Sequence, residues 1–238
     1  MGIANSILRF TDYYRRQGFI NTVRRAGLAL HRMVFASRTV VFYCDLTDRA
    51  TSDVVTSSPL TINRRTSEAE LSPQDLLSMT NFWNPKQARR NIRERFEKGA
   101  SLWLVSSDGD LAGYGWSLQG RTVEPYYFPL GKDDIHLFDF HVFPQYRGRG
   151  INPLLVTHIL HNLAANRRGR AFIEAAEWNE AQLSSLRKTP FGHLGMARSF
   201  TLFGHTFVSW KGNIALQQTV EDLERKDVPA AAGRPPGE

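Results

Sequence analysis

Cysteine is almost absent from this 238-residue chain, in which Cys44 is the only one. A single thiol cannot form an internal disulfide, and a zinc site built from several cysteines is excluded. Long apolar runs are also missing, because Arg or Asp interrupts every apolar stretch, so no transmembrane helix is predicted. No secretory signal is recognised, since Arg9 directly follows Ile7 and Leu8. We therefore expect a cytoplasmic protein.

Acidic residues are scarce at the start of the chain. Residues 1–38 hold seven arginines and one acidic residue, Asp12, and thus carry +6 of the net charge of +7. The rest is almost neutral, which argues against a nucleic-acid partner. Apolar residues recur at helical spacing among the arginines, so residues 1–38 are predicted to form a basic amphipathic helical arm. Two roles stay open: peripheral contact with an anionic membrane at its inner face, or packing on the body or on a second copy in a homodimer.

Strand and helix patterns alternate along the remaining sequence. Strands are predicted at 39–46, 60–65, 101–106, 111–119, 135–143 and 171–176, and in a hairpin of 196–203 and 206–211. Helices are predicted at 72–82, 84–98, 148–166 and 179–188, the first two opened by Ser-Pro and Asn-Pro. We interpret residues 39–226 as one α/β (α+β) domain and expect the Pro-, Gly- and Ala-rich residues 227–238 to be disordered.

The segment with the most specific chemistry is 139–150, Asp-Phe-His-Val-Phe-Pro-Gln-Tyr-Arg-Gly-Arg-Gly. It passes from a strand through a turn rich in Gly and Arg into an amphipathic helix. Gly148 and Gly150 allow a tight turn and close approach of a ligand, while Arg147 and Arg149 add positive charge beside the free N–H groups of the helix. This pattern predicts a phosphate cradle. It is neither common nucleotide loop, because it lacks Gly-Lys-Ser/Thr and Gly-x-Gly-x-x-Gly.

The same segment resembles the GNAT superfamily of CoA-dependent N-acyltransferases, whose signature is Gln/Arg-x-x-Gly-x-Gly/Ala after a Val-x-Pro strand end. Here Val142-Phe-Pro144 precedes Gln145-Tyr-Arg-Gly148-Arg-Gly150. Residues 179–191 resemble the second motif of the family, Asn and small residues followed by Tyr-Glu-Lys-x-Gly-Phe. The resemblance covers roughly residues 60–211. It implies a GNAT-like fold, a mixed and mostly antiparallel central sheet flanked by helices.

The resemblance also implies acetyl-CoA as cosubstrate, with no metal, and indicates which residues hold it. Backbone groups of Phe140, His141 and Val142 would bind the pantetheine arm as an added strand would, and Asn179 would contact the cofactor from the other side. The pyrophosphate would lie on a loop that consists of Gln145, Tyr146, Arg147, Gly148, Arg149, Gly150 and Ile151.

Three positions depart from the family pattern. Leu186 stands where the second motif frequently has a proton-donating tyrosine, and Pro190 stands where glycine is usual. Asn152 occupies the second position of the helix, where Gly or Ala is usual. Without the tyrosine hydroxyl, another donor or water must protonate the departing thiolate.

Transfer of an acetyl group to an amine needs a group that removes a proton, because most amines are protonated at pH 7. In the strand before the loop, alternation predicts that the even-numbered residues from His136 to Val142 share one face. His136 also matches the first of the histidines that serotonin acetyltransferases carry on this strand, and it is our predicted proton acceptor. Asp139 and Glu177 are the alternatives. A structural histidine bonded to backbone and a helix-entry acid are the simpler interpretations of His136 and Glu177.

Four aromatic residues are predicted to frame the acceptor, because aromatic faces stack on sugars. They are Tyr126, Tyr127, Trp83 and Trp116. Roles as core or loop anchors are the alternative. We predict an N-acetyltransferase acting on a primary amine of a small molecule, with an amino sugar or nucleotide sugar of surface polysaccharide assembly preferred. A catalytically silent acyl-CoA-binding regulatory module, and an acyltransferase for proteins or longer acyl chains, remain alternatives.

Overall fold

The computed structural model of the chain describes residues 38–47, 60–81, 84–123, 126–165, 169–202 and 205–212, with backbone alone at 199–202, 205 and 206. Most of the predicted arm, the predicted tail 227–238 and Trp83 lie outside these residues. None of the described helices is long and apolar enough to cross a membrane.

Eight strands and four α-helices make up the described residues. The strands are β1 (Arg38–Asp45), β2 (Leu60–Arg65), β3 (Ser101–Ser107), β4 (Asp110–Gln119), β5 (Ile135–Val142), β6 (Arg170–Ala176), β7 (Gly192–Leu202) and β8 (His205–Gly212). The helices are α1 (Pro73–Asn81), α2 (Pro85–Glu97), α3 (Ile151–Ala164) and α4 (Glu180–Leu186). Between residues 38 and 212, the order and type of the predicted elements are confirmed. Two starts differ by more than one residue: α3 begins after the glycine turn, and β7 begins earlier because Gly192 already pairs with Tyr43 of β1.

The first two helices begin where their capping residues predict. Ser72 accepts the backbone N–H of Asp75 on its Oγ at 3.0 Å, and Asn84 accepts that of Gln87 on its Oδ1 at 3.1 Å. Pro85 occupies the first helical position after Asn84. A side-chain oxygen at this place satisfies an N–H group that has no partner inside the helix. These caps fix the residues at which α1 and α2 begin.

All eight strands form one sheet in the order β2-β3-β4-β5-β6-β1-β7-β8. Every neighbouring pair is antiparallel except β5 and β6, which confirms the predicted fold class. The parallel pairing runs only from Ile135 opposite Ala171 to Leu137 opposite Ile173, although β5 continues to Val142. The two strands therefore separate and leave an opening in the middle of the sheet.

The two faces of the sheet are covered differently. On one face, α3 packs its buried Leu155, Ile159 and Leu160 against apolar side chains of β1, β3, β5 and β6. Full burial of one such leucine contributes about 1.5–3 kcal/mol. The opposite face carries two separate apolar clusters, one under α1 and α2 and one under the loop 126–130. His136 contacts a ring from each of these clusters, Phe138 and Tyr126.

A bulge in β5 reverses the predicted alternation of its side chains. Asp139 and Phe140 together lie opposite Gly115 of β4, and Asp139 adopts a left-handed φ of 49°. The prediction that His136 and Phe140 share a face is therefore wrong. Phe140 packs on the α3 face, where a Cβ atom on Gly115 would overlap its ring. His136 faces the other side with Phe138.

Candidate functional site

The loop between β5 and α3 presents bare backbone to solvent. It contains a short 3₁₀ turn, Pro144–Tyr146, and then two glycines in the left-handed region, Gly148 at φ 77° and Gly150 at φ 73°. A Cβ atom on either glycine would have no neighbour within 4 Å. Gly150 is the residue that caps the start of α3. The loop thus leaves open space at a helix N-terminus, where backbone N–H groups bind anions well.

Side chains of this loop place positive charge at its rim. Arg147 donates from Nε to the carbonyl of Val142 at 3.1 Å, and the guanidinium of Arg149 lies 5.5 Å from the ring centroid of Tyr146. Both arginines are exposed, as is Gln145. Ile151 is buried in the core, so only its backbone is available to a ligand.

The backbone at the end of β5 alternates between β4 and the opening. Phe143 donates its backbone N–H to Ala112 on β4 at 3.0 Å. Because consecutive residues of a strand point their backbone groups to opposite sides, Val142 points away from β4 and His141 points toward it. Of the residues predicted to bind the pantetheine arm, Val142 therefore directs its backbone groups to the opening, where its carbonyl already accepts a hydrogen bond from Nε of Arg147. His141 stacks its ring on Tyr114 instead, with centroids 5.6 Å apart.

Asn179 closes the turn that follows β6. Its Oδ1 accepts the backbone N–H of Gln182 at 3.2 Å, and its Nδ2 donates to Oε1 of Gln182 at 3.1 Å. Gln182 in turn donates to the backbone carbonyl of Glu174 at 3.3 Å. The residue predicted to contact the cofactor thus caps α4 and ties this helix to β6.

Three side chains from three segments meet where β5 and β6 separate, and we call them the His136–Glu174–Tyr126 cluster. Nε2 of His136 lies 3.0 and 2.9 Å from the two carboxylate oxygens of Glu174. Tyr126 donates its O–H to Oε2 of Glu174 at 3.1 Å. The rings of Tyr126 and His136 are 4.9 Å apart between centroids. Sequence reasoning placed His136 and Tyr126 in the site but did not assign Glu174 a role.

Burial differs sharply within this cluster. The side chain of His136 is 6% exposed, whereas that of Glu174 is 26% exposed. Nδ1 of His136 is buried and has no hydrogen-bond partner among the described residues. Burial, followed by the charge of Glu174, raises the pKa of Tyr126 well above its ordinary value of 10.0. Tyr126 therefore stays protonated and acts as a hydrogen-bond donor.

The two alternative bases lie outside this cluster. Asp139 forms an ion pair with Arg95 of α2, and the Arg95 guanidinium also lies 5.4 Å from the ring centroid of Phe138. Glu177 forms an ion pair of 3.9 Å with Arg38, the first residue of β1. Within the described ranges, no group of three or more His, Cys, Asp or Glu side chains is placed to hold a metal ion.

The predicted aromatic residues occupy two different environments. Tyr127 packs on Tyr126 with centroids 5.0 Å apart, and both line a surface depression of about 590 Å³ beside residues 121–123 and 126–130. Trp116 is fully buried. Its ring packs on Phe138 and Phe96. Because Phe138 in turn stacks on His136, Trp116 supports the site through Phe138.

Comparison with known proteins gives one family match and several similar structures. Residues 69–188 match the model of the acetyltransferase (GNAT) family. A GNAT acetyltransferase from Novosphingobium aromaticivorans is 13% identical, with a TM-score of 0.45 over 67% of this chain and 61% of that chain. An acetyltransferase from the GNAT family of Colwellia psychrerythraea is 13% identical, with a TM-score of 0.47 over 81% and 62%. An aminoglycoside acetyltransferase from an uncultured soil metagenomic sample, solved with trehalose, is 17% identical, with a TM-score of 0.40 over 56% and 89%.

The chain spans about three fifths of the length of the first two structures. No curated protein matches it. The family match, however, covers half of the chain. It includes the loop of Gly148 and Gly150, which we call the glycine cradle, the separated strands β5 and β6, and the helix that Asn179 caps. This chain belongs to the acetyltransferase (GNAT) family.

Proposed function

We propose that this protein is an N-acetyltransferase that transfers the acetyl group of acetyl-CoA to the primary amine of a small molecule. The observation that carries the proposal is the position of two features along β5. The glycine cradle follows the end of β5, and the His136–Glu174–Tyr126 cluster lies where β5 separates from β6. A cofactor held at the cradle and extended along β5 would bring its reactive end to the cluster.

The residues present fit this cofactor. Free space at Gly148 and Gly150, which a Cβ atom at either position would fill, suits a pyrophosphate on the N–H groups of α3. Arg147 and Arg149 would add charge-assisted hydrogen bonds. The backbone of Val142 suits an extended arm that carries amide groups. When bound, acetyl-CoA supplies the acetyl group as an activated thioester.

An amino sugar, free or linked to a nucleotide, is the preferred acceptor. Two observations support this class: the aromatic faces of Tyr126 and Tyr127 beside a surface depression, and the nearby carboxylate of Glu174, which attracts a cationic amine. A cytoplasmic location and contact of residues 1–38 with an anionic membrane remain predictions.

A catalytically silent acyl-CoA-binding module is the second candidate, and Leu186 is the observation that favours it. This residue stands at the usual tyrosine position and is fully buried in the core. It therefore offers no proton to a departing thiolate. The acetyltransferase proposal requires that water or another donor do so.

Thiol release separates the two candidates. The full chain is incubated with acetyl-CoA and a panel of amines consisting of glucosamine, 2-deoxystreptamine, spermidine and tyramine, and free thiol is measured over time. Acetyltransfer predicts thiol release that depends on one of these amines, with glucosamine or 2-deoxystreptamine fastest. Binding of acetyl-CoA by calorimetry without amine-dependent thiol release would instead support the silent module.

A further inference from the structure

The hydrogen bonds of the His136–Glu174–Tyr126 cluster all converge on one residue. Tyr126 remains protonated and donates to Oε2 of Glu174. The second contact joins Nε2 of His136 to the same carboxylate at 2.9 Å, and a carboxylate accepts hydrogen bonds. The contact therefore places a hydrogen on Nε2 of His136, and in the neutral form of the ring the lone pair is then on Nδ1.

That lone pair is out of reach of a substrate. Nδ1 of His136 is buried without a partner in the described residues. The ring stacks on Phe138, with an interplanar angle of 18° and centroids 5.2 Å apart, and Tyr126 packs beside it. A bound amine could reach Nδ1 only if the residues that bury it moved.

Glu174 is placed in the opposite way. It follows Ile173, the last residue of β6 that pairs with β5, and so lies on the segment of β6 that borders the opening. Its side chain is about four times as exposed as that of His136, 26% against 6%. His136 and Tyr126 hold its oxygens, and because the side chain is partly exposed, the remaining lone pairs are available to a ligand.

We infer that Glu174 is the group that meets the acceptor, holding its ammonium and taking the proton, and that His136 and Tyr126 are positioning residues. The inference rests on the proposed function and deepens it, because it names the acting atoms. It also restricts the acceptor to an amine that arrives as a cation, since an anionic group at this place would be repelled by the carboxylate.

The bound ammonium gives one proton to the carboxylate of Glu174, and its nitrogen then forms a bond to the thioester carbonyl carbon while the carbon–sulfur bond breaks. The second proton that the nitrogen loses ends on the sulfur, which leaves as a thiol. The first proton passes from Glu174 to solvent and restores the carboxylate.

The experiment compares three variants of the full chain, with thiol release as readout and the fastest amine of the panel as substrate. His136→Gln keeps an N–H donor that can reach Glu174 but cannot take a proton, whereas His136→Ala removes the donor. Glu174→Gln keeps the size of the side chain and removes its charge. Glu94→Gln, which neutralises an exposed carboxylate on α2, is the matched control. Calorimetry with CoA tests that each variant is folded and binds the cofactor.

If Glu174 takes the proton, Glu174→Gln lowers kcat by roughly 10²–10⁴-fold and raises KM for the amine. His136→Gln then stays within about fivefold of the wild type, while His136→Ala loses about tenfold because the carboxylate is no longer held. If His136→Gln is as inactive as Glu174→Gln, His136 is the base and the inference is overturned. Near wild-type turnover of Glu174→Gln overturns it as well. Failure of the wild type with every amine refutes the proposed function itself, a result that these variants do not mimic.

Discussion

Asn152 of α3 donates its side-chain Nδ2 to the hydroxyl of Ser185 on α4 at 2.8 Å. Because α3 follows β5 and α4 follows β6, this bond joins the two helices that extend from the separated strands. Oδ1 of Asn152 is buried and has no partner in the part of the chain that the structure describes. The asparagine that stands where the family usually has Gly or Ala thus ties the two sides of the opening together.

This bond predicts an unequal effect of its two truncations. Ser185→Ala leaves both polar atoms of Asn152 without a partner and should lower the free energy of unfolding by about 1–3 kcal/mol. Asn152→Ala removes the bond together with the unpaired oxygen, and should cost less than about 1 kcal/mol. Urea unfolding of both single variants and of the double variant measures the difference. A larger loss in Asn152→Ala than in Ser185→Ala would contradict this account.

The cradle predicts that a side chain at Gly148 abolishes cofactor binding. Gly148→Asp strains a backbone with φ 77°, fills the open space and adds a negative charge beside the pyrophosphate, so CoA affinity should fall at least roughly 100-fold. Gly109→Asp is the matched control, because Gly109 has φ 90° and open surroundings in the turn between β3 and β4. Calorimetry that finds equal CoA affinity in both variants would refute the cradle.

Local pattern predicted most of the fold, because strands and helices differ in the spacing of their apolar residues and Gly or Pro separates them. The glycine cradle could also be predicted from the sequence, since all of its residues lie within one short segment. The partner of His136 was not, because Glu174 is 38 residues away and only the parallel pairing of β5 with β6 brings them together. One signal was present: Glu174 is the single charged residue in the apolar run 171–176.

The bulge was missed for a different reason. Both alternating sets of residues from Ile135 to Val142 contain large apolar side chains, so the sequence pattern does not reveal one extra residue. Two signs were available in retrospect. Asp139 interrupts the apolar strand and is a residue type that tolerates positive φ, and Gly115 on β4 provides a bare surface beside it.

Close packing at the bulge predicts a specific rescue. Gly115→Ala would place a Cβ atom within 3 Å of three ring atoms of Phe140, and overpacking of this kind costs about 1–3 kcal/mol. Phe140→Leu alone should also destabilise the protein, because it leaves part of the core empty. The double variant should be more stable than the sum of the two losses predicts. Denaturant unfolding of the four proteins gives the coupling, and additive losses would show that the two residues are not in contact.

The free energy of unfolding should decrease at acidic pH, because the pKa values of two histidines are lowered in the folded protein. Burial, then the charge of Arg147, lowers the pKa of His141 below 6.5, while Asp139 partly opposes this. Burial, then His161, lowers the pKa of His158. Between these lowered values and 6.5 the unfolded chain binds more protons than the folded one, so the free energy of unfolding decreases as pH falls through that window. His141→Gln/His158→Gln should lose less stability between pH 7.5 and 5.5 in urea titrations, and an unchanged slope would exclude both histidines.

The placement of Asp139 and Phe140 opposite Gly115 also determines the register of β4 and β5. A shift of the register by one position would place Phe140 opposite Tyr114 or Trp116, whose buried side chains belong to the apolar cluster under α1 and α2. The same shift would turn His136 toward α3. Gly115 and the bulge therefore favour a single register between β4 and β5. This register fixes the distance along β5 between the His136–Glu174–Tyr126 cluster and the loop of Gly148 and Gly150.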